Sequence, residues 1–238
     1  MEKNAGAKAK EAAGRAAVDA LAKSGMKLGL GTGSTAIHAV RRVGELLAEG
    51  TLSDVSAFAT SLQTEMECER LGVPFFPLNS RELSGELDLA IDGADEVDPA
   101  GRLVKGGGGA MLLEKIAAYA SRVFAVAVDE SKLVGALGAG FPVPVEVVPA
   151  ARLTAAKAIA ALGGRPTLRE AARKAGPVIT EHGNLILDVL FAAPVDPVAM
   201  ELELNRVPGV VENGFFSRKG PAVYVGRPDG TVEARFPA

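Results

Sequence analysis

The sequence predicts an α/β protein with a mainly parallel sheet covered by helices on both faces, followed by a second, smaller α+β domain. Three observations support this prediction. Short apolar runs alternate with helical segments over the first 132 residues, which is typical of a parallel sheet. Three glycine clusters follow such apolar runs, where α/β enzymes place their ligand loops. After Lys132 the segments become short and mainly strand-like, which indicates a small antiparallel sheet with two helices in a ferredoxin-like arrangement.

Composition limits the classes of function. The chain of 238 residues is 48% hydrophobic, and its net charge of -3 lacks the basic excess of proteins that bind nucleic acid or anionic membranes. Any anion must therefore be bound by a local site. Cys68 is the single cysteine, so no internal disulfide can form, and neither an apolar secretory core after Met1 nor a run of ~18 apolar residues is present. We expect a cytoplasmic protein with no membrane segment and no nucleic-acid partner.

The first predicted elements are a helix and then a unit of strand, glycine turn and helix. Alanines recur at helical spacing over residues 8–23, with charged residues between them, which predicts the first helix. Residues 26–30 are a short apolar run typical of a strand. Ser34 is a suitable N-cap for a helix over 35–48, whose apolar residues recur at helical spacing.

The rest of the first domain continues this alternation. Residues 73–78 contain two prolines, which favours an edge strand. Residues 123–128 are an unbroken apolar run, typical of a strand covered on both faces. Strands are predicted at 55–59, 73–78, 87–91 and 123–128, and helices at 62–71 and 110–121.

The second domain is predicted from a compact set of shorter elements. Strands are expected at 143–148, 166–169, 178–181 and 185–190, helices at 150–162 and 197–205, and a turn at His182-Gly183-Asn184. Residues 210–216 and 222–225 are expected to be strands that return to the first sheet. The predicted division is therefore 1–136 with 207–238 for the larger domain and 137–206 for the smaller one.

The first glycine cluster joins a strand to the start of a helix, where free backbone N–H groups, hydroxyls and the positive end of the helix dipole converge. This combination predicts an anion site. No Gly-Lys-Ser/Thr follows, and Ser34 stands where a dinucleotide fingerprint needs Gly or Ala, so phosphate is favoured over a nucleotide. A tight turn that binds no ligand is the alternative. The cluster reads Gly31-Thr32-Gly33-Ser34-Thr35.

The second cluster concentrates carboxylates after a buried strand, at the edge where open α/β sheets bind ligands. Three interpretations stay open: a divalent-metal site, a solvated acidic turn, or a pair of carboxylates that bind sugar hydroxyls or carry protons. The metal interpretation lacks both calcium-loop spacing and a nearby histidine. The segment reads Asp92-Gly93-Ala94-Asp95-Glu96-Val97-Asp98.

The third cluster, Lys105 followed by four glycines, precedes a predicted helix. Each glycine costs about 0.5 to 1 kcal/mol relative to alanine, so a mere surface loop would rarely keep four. Glu114 lies nine positions beyond Lys105 and could point back as a general base; the alternative is a polar helix face formed by Glu114 and Lys115. Lys132 closes a strand at the same sheet edge, where it could reach a phosphate.

The remaining candidates carry weaker signals. His38 falls within a helical stripe, which indicates packing, and His182 lies in a tight turn. Cys68 has no neighbouring His or Cys in its predicted helix, so neither thiol catalysis nor a metal site is supported.

Taken together, these segments resemble ribose-5-phosphate isomerase, type A, in order and in spacing. The likeness spans almost the whole chain, since it also covers Thr60-Ser61 with Thr64 and the segment 208–214. The segments that carry it are Gly31-Thr32-Gly33-Ser34-Thr35-Ala36, Asp92 to Asp98, Lys105-Gly106-Gly107-Gly108 with Glu114, and Asp129-Glu130-Ser131-Lys132.

The resemblance implies a Rossmann-like larger domain, a homodimer or homotetramer, and interconversion of ribose 5-phosphate and ribulose 5-phosphate without a metal or organic cofactor. By position, Glu114 resembles the catalytic base, and Asp92 and Asp95 resemble an acidic pair near the sugar hydroxyls and ring oxygen. Lys105 resembles a residue that lines the substrate. The family also tends to place a lysine of the first helix near the phosphate, and both Lys8 and Lys10 are available for this contact. The other implied substrate-binding residues are Thr32, Gly33, Ser34, Thr35, Gly93, Ala94, Gly106, Gly107, Gly108 and Lys132.

The chemistry of an aldose-ketose isomerase agrees with these residues, because it needs one base that moves a proton and groups that stabilise an enediolate. The nearest rivals are a lactonase acting on a phosphosugar acid and an amino-sugar phosphate deaminase. Both are expected to use a histidine, and neither His38 nor His182 lies in a predicted ligand loop. A phosphosugar-sensing regulator module would need a basic DNA-binding segment, which the sequence lacks.

Overall fold

The computed structural model describes residues 2–236. The helices are α1 (Glu2–Leu21), α2 (Ala36–Ala48), α3 (Leu62–Leu71), α4 (Met111–Ala120), α5 (Arg152–Ala161) and α6 (Pro197–Asn205). The strands are β1 (Lys27–Leu30), β2 (Ser56–Ala59), β3 (Leu87–Asp92), β4 (Glu96–Val97), β5 (Leu103–Val104), β6 (Ser121–Asp129), β7 (Val143–Val147), β8 (Gly164–Leu168), β9 (Leu185–Phe191), β10 (Val210–Asn213), β11 (Phe215–Phe216), β12 (Ala222–Gly226) and β13 (Val232–Arg235).

The chain forms two compact units. The first unit comprises the chain up to Ala94, Leu113–Lys132 and the chain from Lys219 onward, and the second comprises Asp95–Leu112 and Leu133–Arg218. These boundaries differ from the predicted division, which assigned residues 95–112, 133–136 and 207–218 to the larger domain. The reason is strand pairing, since β10 pairs with β7 and the strands β11, β5 and β4 pair with one another.

The first unit is built on a sheet in the order β13-β12-β6-β3-β1-β2. All neighbours are parallel except β13, which pairs antiparallel with β12. Residues 124–129 of β6 and all of β12 are buried, as expected for strands covered on both faces, whereas Arg122 and Val123 near the start of β6 are exposed. The predicted α/β class with a mainly parallel sheet is confirmed. Residues 73–78 do not form the predicted edge strand, because their only bridge joins Phe75 to Ala57.

Helices α1 and α2 cover this sheet through small and branched apolar side chains. Val18 on α1 and Val40 and Val43 on α2 are fully buried with Leu28 and Leu30 of β1. The helical spacing of apolar residues that predicted these helices therefore corresponds to their buried faces. None of the helices in the described part of the chain is long and apolar enough to cross a membrane.

The second unit contains a four-stranded antiparallel sheet in the order β10-β7-β9-β8. The chain order β7-α5-β8-β9-α6-β10 with this strand order is the predicted ferredoxin-like arrangement. Residues 178–181 are not the predicted strand, because Thr180 and Asn184 close a tight turn and only Ile179 bridges to Leu185. Residues 210–216 were expected to return to the first sheet; they form β10 and β11 of the second unit instead.

Candidate active site

The structure assigns the predicted site residues to both units, and each group is described within its own unit. The first unit holds Thr32, Gly33, Ser34, Thr35, Asp92, Gly93, Ala94, Glu114 and Lys132, and the second holds Asp95, Lys105, Gly106, Gly107 and Gly108.

Residues 31–35, here called the cradle, are fixed by the carboxylate of Asp92. Asp92 Oδ1 accepts hydrogen bonds from Thr32 N at 3.1 Å and from Gly93 N at 2.7 Å. The two segments meet because β1 and β3 are parallel neighbours and end at the same edge of the sheet. A β-carbon on Gly31 would lie 2.0 Å from Asp92 Oδ1, so only glycine permits this approach. Asp92 is 3% exposed, and it holds the loop in place.

A cluster of hydroxyl groups supports the cradle from the β2–α3 connection. Thr32 Oγ1 donates to Ser61 Oγ at 2.7 Å and lies 2.8 Å from Thr60 Oγ1. Thr64 Oγ1 donates to the carbonyl oxygen of Gly31 at 2.8 Å. Both the amide and the hydroxyl of Thr32 are thus engaged within the protein, so its side chain fixes the cradle.

The outer end of the cradle combines a hydroxyl, an ammonium group and a helix N-terminus. Lys10 Nζ donates to Ser34 Oγ at 3.0 Å, whereas Lys8 Nζ donates to the carbonyl oxygen of Asp229 at 2.6 Å. The N-cap of α2 is Thr35, which makes no side-chain cap bond, so the prediction of Ser34 as N-cap is wrong. The hydroxyl of Ser34, freed from capping, contacts Lys10 instead. A cation, a hydroxyl and N-terminal amides at one place form a suitable anion site.

Glu114 lies in the first turn of α4 and is 4% exposed, and the adjacent Lys115 is 2% exposed. The alternative of a solvated polar helix face is therefore wrong. A buried carboxylate is costly unless other groups compensate for its lost hydration, and such residues are frequent at functional sites. Lys132 ends a short 3-10 helix directly after β6 and is half-buried.

Residues 105–109, here called the glycine loop, follow β5 in the second unit. Lys105 is 2% exposed; its amide donates to Gly214 O at 2.9 Å, and its Nζ lies 5.5 Å from the centroid of the Phe216 ring. Such a cation–π contact stabilises an ammonium group away from water. The loop then closes on itself, because Gly109 N donates to Gly106 O at 2.9 Å.

Asp95 holds the middle of the glycine loop. Its Oδ2 accepts from Gly107 N at 2.7 Å, and a β-carbon on Gly107 would lie 2.7 Å from its Oδ1. Only glycine at this position permits the carboxylate to approach so closely. Asp95 is half-buried, whereas Asp92 is buried, so the two aspartates of the acidic segment occupy different environments.

The other two carboxylates of the acidic segment have structural partners. Glu96 accepts from the amides of Gly138 at 2.7 Å and Phe141 at 2.9 Å. Asp98 accepts from Arg102 Nε at 2.6 Å. Within the described residues, no group of three or more His, Cys, Asp or Glu side chains is arranged to hold a metal ion.

Arg169 is a neighbour of the glycine loop that sequence reasoning missed. Its Nη1 donates to the carbonyl oxygens of Gly106 and Gly107, each at 3.1 Å. Its Nε and Nη2 donate to the two carboxylate oxygens of Asp188, at 2.9 and 2.5 Å. No sequence signal could have shown this contact, because more than 60 positions separate Arg169 from the loop.

The weaker candidates behave as expected. Burial lowers the pKa of the half-buried His38 on α2. His182 is exposed in its turn. Burial raises the pKa of the Cys68 thiol to about 12, so its reactive thiolate form is strongly disfavoured.

Comparisons with known proteins show which family the chain resembles. A family profile described as ribose 5-phosphate isomerase A (phosphoriboisomerase A) matches residues 56–230. The chain is 53% identical over 211 residues to the ribose-5-phosphate isomerase A of Treponema denticola, an alignment that covers 88% of each protein.

Two solved structures share the fold along nearly the whole chain. The ribose 5-phosphate isomerase A of Methanocaldococcus jannaschii has a TM-score of 0.88 and 42% identity, over 95% of this chain and 97% of that one. A D-ribose-5-phosphate isomerase in complex with phospho-erythronic acid has a TM-score of 0.89 and 39% identity, over the same shares of the two chains. The profile match and the level of identity show that the chain belongs to the ribose 5-phosphate isomerase A family.

Proposed function

We propose that this chain interconverts D-ribose 5-phosphate and D-ribulose 5-phosphate through an enediolate, with Glu114 as the base that moves the proton. Family membership supports the reaction. The complex of a structural relative with phospho-erythronic acid supports a phosphorylated sugar as substrate, because that ligand is itself a phosphorylated sugar acid. The observation that carries the assignment of the base is the burial of Glu114, which is 4% exposed at the start of α4.

The phosphate is bound by the outer end of the cradle. The N-terminus of α2 presents the amides of Gly33, Ser34 and Thr35 and the hydroxyls of Ser34 and Thr35. Lys10 contributes a positive charge there. Lys132 supplies a second cation. Thr32 and Asp92 hold the loop in shape. The phosphate group is remote from the reacting carbons, and the energy of binding it can be used to orient those carbons.

Ring opening is assigned to Asp95. A proton must leave the anomeric hydroxyl and another must reach the ring oxygen, which one carboxyl group can do in turn. Asp95 is half-buried and therefore accessible, whereas Asp92 is buried and accepts the amides of Thr32 in the cradle and of Gly93. Asp92 is accordingly assigned to positioning.

Proton transfer then converts the open-chain aldose into the ketose. Glu114 takes the proton from C2, the C1–C2 double bond forms, and the electrons of the carbonyl group move onto O1. The hydroxyl proton on O2 passes to O1, Glu114 returns its proton to C1, and the carbonyl is re-formed at C2. Lys105 and amides of the glycine loop stabilise the negative charge on the two oxygens.

The test is conversion of ribose 5-phosphate by the purified chain, dialysed against a chelator and followed by NMR in deuterated water. We expect ribulose 5-phosphate with deuterium at the transferred position. Glu114→Gln should lose turnover but keep phosphosugar binding, because the amide preserves the shape of the side chain but cannot accept the proton. Glu49→Gln, an exposed change at the end of α2, is the control. Near-normal turnover of Glu114→Gln would remove Glu114 from the mechanism.

Three further expectations stay predictions. They are assembly as a homodimer or homotetramer, independence of metal, and a cytoplasmic location. Light scattering measures the oligomeric state. The NMR assay with the dialysed enzyme measures whether activity is independent of metal.

A further inference from the structure

The contact between Arg169 and the glycine loop joins one guanidinium group to two successive peptide groups. Arg169 Nη1 donates to the carbonyl oxygens of both Gly106 and Gly107, each at 3.1 Å. Arg169 follows β8 directly, and its amide donates to Ile186 O at 2.9 Å, so its backbone is tied to the antiparallel sheet. Its side chain is only 15% exposed. The Arg169 side chain is therefore largely buried, while its contact with Gly107 lies at the surface of the second unit.

This contact determines which way the loop amides point. In a trans peptide group the C=O and the following N–H point in opposite directions, and the described residues contain no cis peptide bond. The Gly106 carbonyl faces Arg169, and the Gly107 N–H accordingly points the other way, to Asp95 Oδ2 at 2.7 Å. The Gly107 carbonyl also faces Arg169, so the Gly108 N–H of the same peptide group points away from the guanidinium. Successive N–H groups that point to one side form an anion-binding nest.

We propose that Arg169, held by Asp188, is a positioning residue: it keeps the Gly107 amide on the Asp95 carboxylate and directs the Gly108 amide toward the developing enediolate. This role rests on the proposed isomerase function. The glycine loop needs such a clamp, because glycine peptides adopt many backbone conformations and the amides would otherwise sample several directions. The positive charge beside the two carbonyls also polarises the peptide groups and strengthens their N–H donors.

The geometry requires arginine at this position. Two guanidinium nitrogens bind both oxygens of Asp188, while the third donates to the loop. Lysine has a single ammonium group on a flexible stem and cannot reproduce this planar fork. Asp188 lies in β9, opposite Thr167 and Pro144 in the neighbouring strands. The sheet therefore holds the Asp188 carboxylate, which orients the Arg169 guanidinium that binds the glycine loop.

The test compares Arg169→Ala, Arg169→Lys and Asp188→Asn in the full-length enzyme. Arg169→Ala should lower kcat by about 10- to 100-fold, because misplacing a catalytic group by about 1 Å can cost that much. KM and the inhibition constant for inorganic phosphate should stay nearly unchanged, because the cradle belongs to the first unit. Millimolar guanidinium should partly restore kcat in Arg169→Ala. Arg169→Lys should restore little.

The matched control is Arg102→Ala. Arg102 forms an ion pair with the buried Asp98 in the same unit, but its guanidinium binds that carboxylate rather than the glycine loop. We expect no guanidinium rescue and an unchanged kcat in this variant. If Arg169→Ala fails to fold, Asp188→Asn keeps the side-chain shape while weakening the clamp, and it should show the same selective loss of kcat.

An unchanged kcat in folded Arg169 and Asp188 variants overturns the positioning role. A rise in KM or in the phosphate inhibition constant with kcat unchanged also overturns it. A wild-type enzyme that converts no ribose 5-phosphate overturns the proposed function, and this role with it, so the two failures are distinguished by the wild-type assay.

Discussion

Gly31 and Asp92 approach so closely that a β-carbon at position 31 would lie 2.0 Å from Asp92 Oδ1. The contact joins the residue after β1 to the last residue of β3, about 60 positions along the chain, and it is possible because Leu30 and Ile91 are register partners in these parallel strands. Asp92 accepts the amide of Thr32 in the same arrangement, at 3.1 Å. The shape of the cradle therefore depends on the absence of a β-carbon at Gly31 and on the carboxylate of Asp92.

Gly31→Ala should accordingly damage both stability and activity. The added methyl group must displace Asp92 or the loop, which costs about 1 to 3 kcal/mol in a packed interior. It should also raise KM for ribose 5-phosphate, because the amides next to Thr32 lose their orientation. Denaturant unfolding and steady-state kinetics measure the two effects.

Gly6→Ala is the control for this change, because nothing lies within 4 Å of its added carbon and it falls in α1. It should be neutral or slightly stabilising, by up to about 1 kcal/mol, as alanine is the better helix former. A Gly31→Ala variant as stable and active as Gly6→Ala would contradict the role assigned to the close contact.

Lys10→Met should weaken substrate binding without slowing the chemical step. Lys10 Nζ is 3.0 Å from Ser34 Oγ, and a charged hydrogen bond contributes about 1.5 to 3 kcal/mol, so KM should rise about 10-fold or more while kcat changes little. The effect should shrink at high salt, because salt screens exposed charges.

Lys8→Met provides the comparison, since Lys8 bonds Asp229 O instead. It should leave KM nearly unchanged. Equal effects of the two variants, or a loss of kcat in Lys10→Met, would argue against a phosphate contact by Lys10.

The larger sheet was predictable because its central strands are short, buried apolar runs such as β3 and β6. The ferredoxin-like arrangement was predictable for the same reason, since β7 and β9 are mainly apolar, buried strands. The two-residue strands β4 and β5 were missed, because two residues carry no periodicity. β11 was predicted only as the end of a longer strand, 210–216, that was assigned to the other sheet. Their pairing moved the surrounding segments into the second unit.

The candidate site was predictable where its residues are adjacent in sequence, as in the cradle. The choice between Lys8 and Lys10 was not, because two positions on a helix differ by about 200° around its axis and the packing of α1 decides which lysine faces Ser34. The contact between Arg169 and the glycine loop was also hidden, because it depends on the register of β8 and β9.

Cys68 should resist alkylation in the folded protein. Burial, together with the nearby carboxylates of Glu67 and Glu65, raises the pKa of this thiol to about 12, and the thiolate is the reactive form. Iodoacetamide at mildly alkaline pH should modify the unfolded chain quickly and the native chain hardly at all. Rapid modification of the native chain would show that α3 exposes the thiol.

Glu67 should make stability depend on acid pH. Hydrogen bonds from Arg70 and Arg41 lower its pKa from 4.5 to about 2, and the Arg41 contact joins α2 to α3. A pKa depressed by folding means that the charged form stabilises the native state. The stabilisation is therefore fully present above pH 4.5 and is lost as the pH falls from 4.5 toward 2.

The measurement is the free energy of unfolding of Glu67→Gln and wild type across this pH range. Their difference should be largest near neutral pH and should shrink as the pH falls, because protonation removes the same charge that the substitution removes. Glu203→Gln is the control, since Glu203 pairs with Arg206 where both side chains are exposed, and such pairs contribute only about 0 to 1 kcal/mol. A difference between Glu67→Gln and wild type that stays constant at every pH would assign the effect to packing. The charge of the Glu67 side chain changes with pH in this range, whereas its packing does not.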